Sequence, residues 1–186
     1  MTNPRANPVT RRHLATLAGW GLGLGLGVAA AVGGWWYLGA PGWPVTPGPA
    51  PEVSYTLLDG QKTSTGQLKG QVVLVNFWST SCSTCIAEMP QVAATFEKFR
   101  GRGFQTVAVA MEYDAPALVS DFAIARKLPF GVAIDNTGEI AERFGKVRLT
   151  PTSFLIDKRG LIVQRWTGAP DFAALQKMVE KLLAEA

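Results

Sequence analysis

One histidine and two cysteines are all that the 186 residues offer of the side chains most used for metal binding and nucleophilic catalysis. The histidine, His13, lies in a basic N-terminal tip, so the rest of the chain has no Cys-His or Ser-His pair and no His-rich metal site. Two cysteines are too few for the disulfide framework of a small secreted fold, and too few for a four-ligand zinc site. Charge is sparse as well. Asp, Glu, Lys and Arg make up 17% of the chain, while hydrophobic residues at 47% suffice for a packed core and exclude disorder. No acidic residue precedes Glu52, whereas Arg5, Arg11 and Arg12 do. From Glu52 onward 15 Lys/Arg face 14 Asp/Glu, about +1 of the overall +4. A nearly neutral body with one basic tip is not the footprint of a phosphate binder, and no nucleic-acid partner is expected.

Residues 14–38 carry no charge at all, from Leu14 to Trp35-Trp36-Tyr37-Leu38. As a helix they span roughly 37 Å, enough to cross a hydrocarbon core of about 30 Å with some tilt. The preceding basic residues 1–13 place that tip in the cytoplasm and the rest of the chain across the membrane, and the aromatic cluster suits the far interface. The expectation is a single transmembrane anchor over 14–38. The alternative is an export signal: Leu38-Gly39-Ala40 offers small residues for cleavage, and Thr10-Arg11-Arg12 resembles a twin-arginine signal. Residues 39–51 follow as a spacer. Five prolines and two glycines between Pro41 and Pro51 exclude a helix or a central strand and predict an extended, semi-rigid linker.

The body, residues 52–186, is long enough for one domain. Val53–Leu57 predicts a short strand and Val72-Val73-Leu74-Val75 a buried central one. A helix is predicted from the cysteines to about Arg100, ended by Gly101 and Gly103. Phe104–Met111 predicts a strand, Ala115–Lys127 a helix, Phe130–Ile134 a strand and Glu139–Phe144 a short helix. Thr152–Ile156 and Leu161–Trp166 flank a turn at Asp157-Lys-Arg-Gly160 and should pair as a hairpin. Leu175, Met178, Val179, Leu182 and Leu183 fall on one face of a last helix. Strands alternating with helices and then a hairpin indicate an α/β domain with a mixed central sheet flanked by helices.

Cys82-Ser83-Thr84-Cys85 sits between the central strand and the helix. That spacing on a first helical turn brings two sulfurs close enough for a reversible disulfide. Unsatisfied N–H groups and the helix dipole there favour a thiolate at Cys82. The thiolate is the attacking species in exchange, so Cys82 is the expected nucleophile and Cys85 the resolving thiol. Ser83 and Thr84 bring hydroxyls that can bond at a helix start. A structural disulfide, a two-thiolate copper site and a chance pairing of buried cysteines are the competing readings of the pair.

The run Val72-Val-Leu-Val-Asn-Phe-Trp-Ser-Thr-Ser-Cys82-Ser-Thr-Cys85-Ile-Ala-Glu88-Met-Pro90 resembles the active-site segment of the TlpA/ResA branch of the thioredoxin superfamily. The likeness extends over most of residues 52–186, through Leu58-Asp-Gly, Leu68-Lys-Gly-Gln-Val and Thr150-Pro151-Thr-Ser-Phe-Leu-Ile-Asp157. It implies a thioredoxin-like fold, with Thr150 and a cis Pro151 facing the disulfide. Glu88 matches an acidic residue three positions after the second cysteine; i and i+3 share a helix face, so it would handle the Cys85 proton. Asn76 stands where ordinary thioredoxins have a buried aspartate, Trp78 is expected beside the centre or in the core, and Pro90 should kink the helix. No cofactor beyond the redox-active Cys82–Cys85 disulfide is implied. The implied setting is the bacterial inner membrane, with the domain on its periplasmic side. There a membrane thiol-transferring reductase would supply electrons, and disulfide-containing envelope proteins, such as apocytochrome c or copper-assembly proteins, would receive them.

Two departures stand out. Ser81 precedes Cys82 where relatives usually carry an aromatic. Leu149-Thr-Pro-Thr152 replaces the Gly-x-Pro-Glu of cytochrome-maturation relatives, which weighs against that narrower role. The expected function is a protein-disulfide reductase; an oxidase or isomerase, and a copper(I) chaperone using the same two thiolates, are the alternatives.

Overall fold

A computed structural model describes residues 48–185. The expected anchor at 14–38, the basic tip and most of the spacer lie outside the described residues. Six strands form one sheet in the order β1 (Gly48–Pro49), β8 (Leu161–Thr167), β7 (Thr152–Ile156), β4 (Val72–Trp78), β5 (Phe104–Ala110) and β6 (Gly131–Ile134). β4 runs parallel to β5 and β5 to β6, while β7, β8 and β1 continue the sheet antiparallel from the other side of β4. A small hairpin of β2 (Ser54–Thr56) and β3 (Lys62–Ser64) lies beside it, joined by a bridge from Leu57 to Ala133 on β6.

Every residue of β4 is buried. A continuous apolar run without alternation is what a strand covered on both faces requires. Its pleat sends Val72, Leu74, Asn76 and Trp78 to one face and Val73, Val75 and Phe77 to the other. The first set packs with α1 (Ser83–Phe99) and α4 (Phe172–Ala184), through Met89, Val92, Phe96, Leu175 and Val179. The second packs with Tyr55, Ile140, Phe144 and Phe154; the rings of Phe144 and Phe154 meet Phe77 edge-on and each other at a tilt. α2 (Pro116–Ala125) and α3 (Glu139–Arg143) fill the connections after β5 and β6.

The mixed sheet, the late hairpin and the four predicted helices are present. In the β7–β8 turn Asp157 accepts hydrogen bonds from Arg159 N and Leu161 N at 2.9 Å, and Gly160 takes the positive φ of 82° that the turn needs. Two features depart from expectation. The spacer was expected to run to residue 51, yet Gly48–Pro49 already pairs with Leu161 and Ile162 as an edge strand. Proline is tolerated there because an edge position can do without its N–H. Lys62–Ser64 was not predicted as a strand, since it has no apolar alternation and gains its pairing from β2. α1 continues through Pro90, which is exposed.

Candidate active site

Cys82 is the N-cap residue of α1, with extended backbone at φ −90° and ψ 105°. In that conformation its own sulfur is the group able to accept from the first turn, and Cys85 N donates to Cys82 Sγ at 3.1 Å. The cap is therefore the Cys82 sulfur itself. Ser83 and Thr84, expected to contribute hydroxyl bonds, are exposed at the first helical positions, and the side chain that caps the turn is that of Cys82. Cys82 and Cys85 form a disulfide with Cα atoms 5.2 Å apart. Cys85 is fully buried and Cys82 only partly so. An incoming sulfur can reach one of the two and not the other.

The loop before β7 closes the site from the opposite side. The Thr150–Pro151 peptide is cis, Pro151 is buried, and the Thr150 carbonyl lies 3.5 Å from Cys82 Sγ. Leu149, one residue earlier, is 65% exposed. Trp78 is fully buried against Phe122 and belongs to the same apolar cluster as Cys85, so it fills the core beneath the disulfide.

Glu88 is 3% exposed, which removes the reading of a surface helix glutamate. It lies one turn after Cys85 on the buried face of α1, and its Oε1 accepts from Asn76 Nδ2 at 3.0 Å. Asn76 Nδ2 also donates to Ser153 Oγ at 2.9 Å, so the amide joins α1 to β7 across β4. Glu88 Oε2 and Asn76 Oδ1 are buried with no hydrogen-bond partner. Burial pushes the Glu88 carboxyl up from its ordinary 4.5 to about 7, with the bond from Asn76 pulling it part of the way back. A carboxyl poised there can give or take a proton under the conditions in which thiols exchange.

Of the residues singled out in the sequence, Thr150 and Pro151 lie beside the Cys82–Cys85 disulfide, and Glu88 lies one turn after Cys85 on the buried face of α1. Sequence reasoning missed Ser153, although a polar residue inside the apolar run Thr152–Ile156 is a signal of its own. It also missed the hydroxyl cluster ahead of Cys82, in which Ser81 Oγ and Ser79 Oγ are 2.8 Å apart. The residue that did not fit the family pattern has a partner that an aromatic could not have made.

Comparison with known proteins agrees with this geometry. The family model described as Redoxin matches residues 47–179. A thiol-disulfide oxidoreductase ResA from Bacillus thuringiensis subsp. konkukian is 35% identical over 133 residues, covering 72% of this chain and 76% of that protein. The ResA of Bacillus subtilis strain 168 is 31% identical over 110 residues, 59% of this chain and 60% of that one. Among solved structures, a thiol:disulfide interchange protein of the thioredoxin family from Chlorobium tepidum superimposes with a TM-score of 0.68 at 28% identity, covering 75% of this chain and 99% of that one. StoA from Bacillus subtilis does so with a TM-score of 0.60 at 25% identity, covering 74% and 98%. The fold is thioredoxin-like.

Proposed function

The chain belongs to the Redoxin family and is a thiol-disulfide oxidoreductase of the ResA type; from that premise we propose that it reduces disulfides in other envelope proteins, with Cys82 attacking and Cys85 resolving. The observation that carries this reading is the asymmetry of the pair: a partly exposed Cys82 whose sulfur already meets a helix N–H, and a fully buried Cys85.

In the reduced protein the Cys82 thiolate attacks one sulfur of the partner's disulfide. A Cys82–partner bond forms, and the partner's other sulfur leaves as a thiolate. Glu88, ionised, takes the proton of Cys85. The Cys85 thiolate then attacks Cys82 Sγ, closing the Cys82–Cys85 bond and releasing the partner's second thiolate. Two electrons pass to the partner, whose two thiolates take up protons. Thr150 and Pro151 lie where the partner strand would run past the mixed disulfide, with Leu149 as an apolar contact. A membrane thiol-transferring reductase would return the centre to its dithiol form, and residues 14–38 would keep the domain at the periplasmic face of the inner membrane.

The reductive direction is supported by what surrounds the sulfurs. A strongly oxidising centre is one whose reduced form is stabilised. Here the first turn of α1 holds no charged residue, and the titratable neighbour on the same helix face is a carboxylate. Neither adds to the stabilisation that the Cys85 amide gives the Cys82 thiolate, and the carboxylate opposes a second thiolate at Cys85. Partner trapping tests the proposal: Cys85→Ser, expressed in its native envelope, should accumulate mixed disulfides through Cys82 with cysteine-containing envelope proteins. Absence of any such adduct, while Cys82 remains alkylatable, would contradict it.

A further inference from the structure

The loop that delivers Cys82 is held from a distant part of the chain. β4 ends at Trp78, and Ser79, Thr80 and Ser81 alone lead to the cap residue. Asp114, 35 residues after Ser79, holds the first two directly and the third through Ser79. Its Oδ1 accepts from Ser79 Oγ at 2.9 Å and from Thr80 Oγ1 at 2.8 Å, and its Oδ2 accepts from Thr80 N at 2.9 Å. A carboxylate only accepts, so the Ser79 hydroxyl proton is committed to Asp114 and the Ser79 oxygen is left as an acceptor. Ser81 fills it twice, with its N–H at 3.2 Å and its hydroxyl at 2.8 Å. The Ser79 carbonyl in turn receives Cys82 N at 3.2 Å.

Asp114 does this instead of serving its own helix. It stands just before α2, where aspartate is a favoured cap, yet the N-cap is Ala115 and no side chain caps that end. It is 7% exposed, and its backbone is pinned by Asp114 N to Met111 O at 3.0 Å and Met111 N to Trp78 O at 3.1 Å. The carboxylate is thus fastened to the end of β4 while gripping the loop that leaves it.

We propose that Asp114 is a positioning residue for the redox centre: through Ser79, Thr80 and Ser81 it holds Cys82 in the extended cap conformation in which its sulfur meets the Cys85 amide. Stabilisation of a thiolate by helix N–H groups falls off within the first turn, so a loosened cap lowers the thiolate fraction. Ser81 is the last link of this relay, which gives a role to the serine that replaces the usual aromatic. The inference rests on Cys82 being the attacking thiol.

The test is iodoacetamide alkylation of the reduced full-length chain in mild micelles as a function of pH, with the modified cysteine identified by peptide mass. Asp114→Asn should slow Cys82 alkylation at pH 7 about tenfold and move the midpoint of its pH profile upward. The second-order rate with glutathione disulfide should fall in step. Ser81→Ala, at an exposed position that folding does not need, should do the same by about threefold. Asp121→Asn, on the exposed face of α2, should match the wild type. Variants that lose only thermal stability, with the Cys82 rate and midpoint unchanged, would overturn the inference. Alkylation at Cys85 in the wild type would overturn instead the reading beneath it.

Discussion

Replacing Glu88 with glutamine keeps the shape of the side chain and removes its titration. The glutamine oxygen can still accept from Asn76 Nδ2, and its amide offers a donor on the side where Glu88 Oε2 and Asn76 Oδ1 have no partners. The variant therefore resembles the protonated wild type at every pH. Burial raises the folded carboxyl to about 7 from an ordinary 4.5. Between those values the folded state binds more proton than the unfolded one, so stability falls as pH rises. Stability from this group is fully present below pH 4.5 and is lost by the time pH passes about 7. One pKa unit is worth about 1.4 kcal/mol, which makes the loss about 3 kcal/mol. Urea unfolding of the oxidised full-length chain, followed by far-UV ellipticity from pH 4.5 to 8, measures it, and subtracting the Glu88→Gln curve cancels every other titrating group. The variant should gain on the wild type by about 3 kcal/mol across that range. Two parallel curves would mean that Glu88 titrates as an ordinary surface carboxyl, and the proton role assigned to it would be lost.

Four further outcomes are expected. Cys82→Ser should abolish reduction of glutathione disulfide, measured by glutathione release, whereas Cys85→Ser should retain the first attack and stop at the mixed disulfide. Glu88→Gln should flatten the rise in exchange rate around pH 7 that Glu88 ionisation produces in the wild type, as read from a pH–rate profile. Asn76→Ala removes the one hydrogen bond that lowers the Glu88 carboxyl, so the midpoint of that profile should move above 7, and the domain should lose about 1–3 kcal/mol by urea titration. Leu149→Glu should raise KM for a protein disulfide roughly tenfold, since it removes an exposed apolar contact beside Thr150, while leaving re-reduction by dithiothreitol unchanged.

Much of this is legible in the sequence, and the reasons differ from element to element. β4 and β5 announced themselves as apolar runs because both of their faces are covered. The disulfide was legible because its two sulfurs are three residues apart on one helical turn. Glu88 was open to two readings, and what decides between them is its neighbours: Cys85, Met89, Val92 and Phe96 form the buried stripe of α1, and residue 88 falls inside it. β1 was hidden by the prolines of the spacer around it, since the pairing is made by Leu161 and Ile162 and nothing in Gly48–Pro49 advertises it. Asp114 was beyond reach for a different reason. Its own surroundings read as a helix start, and its partners are on another loop, brought near only because β4 and β5 lie side by side. Ser81 looked like a defect in the family pattern and is instead one end of that connection.

The equilibrium reduction potential of the Cys82–Cys85 couple, measured against glutathione in the full-length chain by quantifying dithiol and disulfide forms, tests the reductive assignment most directly. A reductase whose dithiolate is not specially stabilised should fall near the thioredoxin value of about −270 mV. A value in the range of about −180 to −120 mV, where isomerases and oxidases lie, would contradict it.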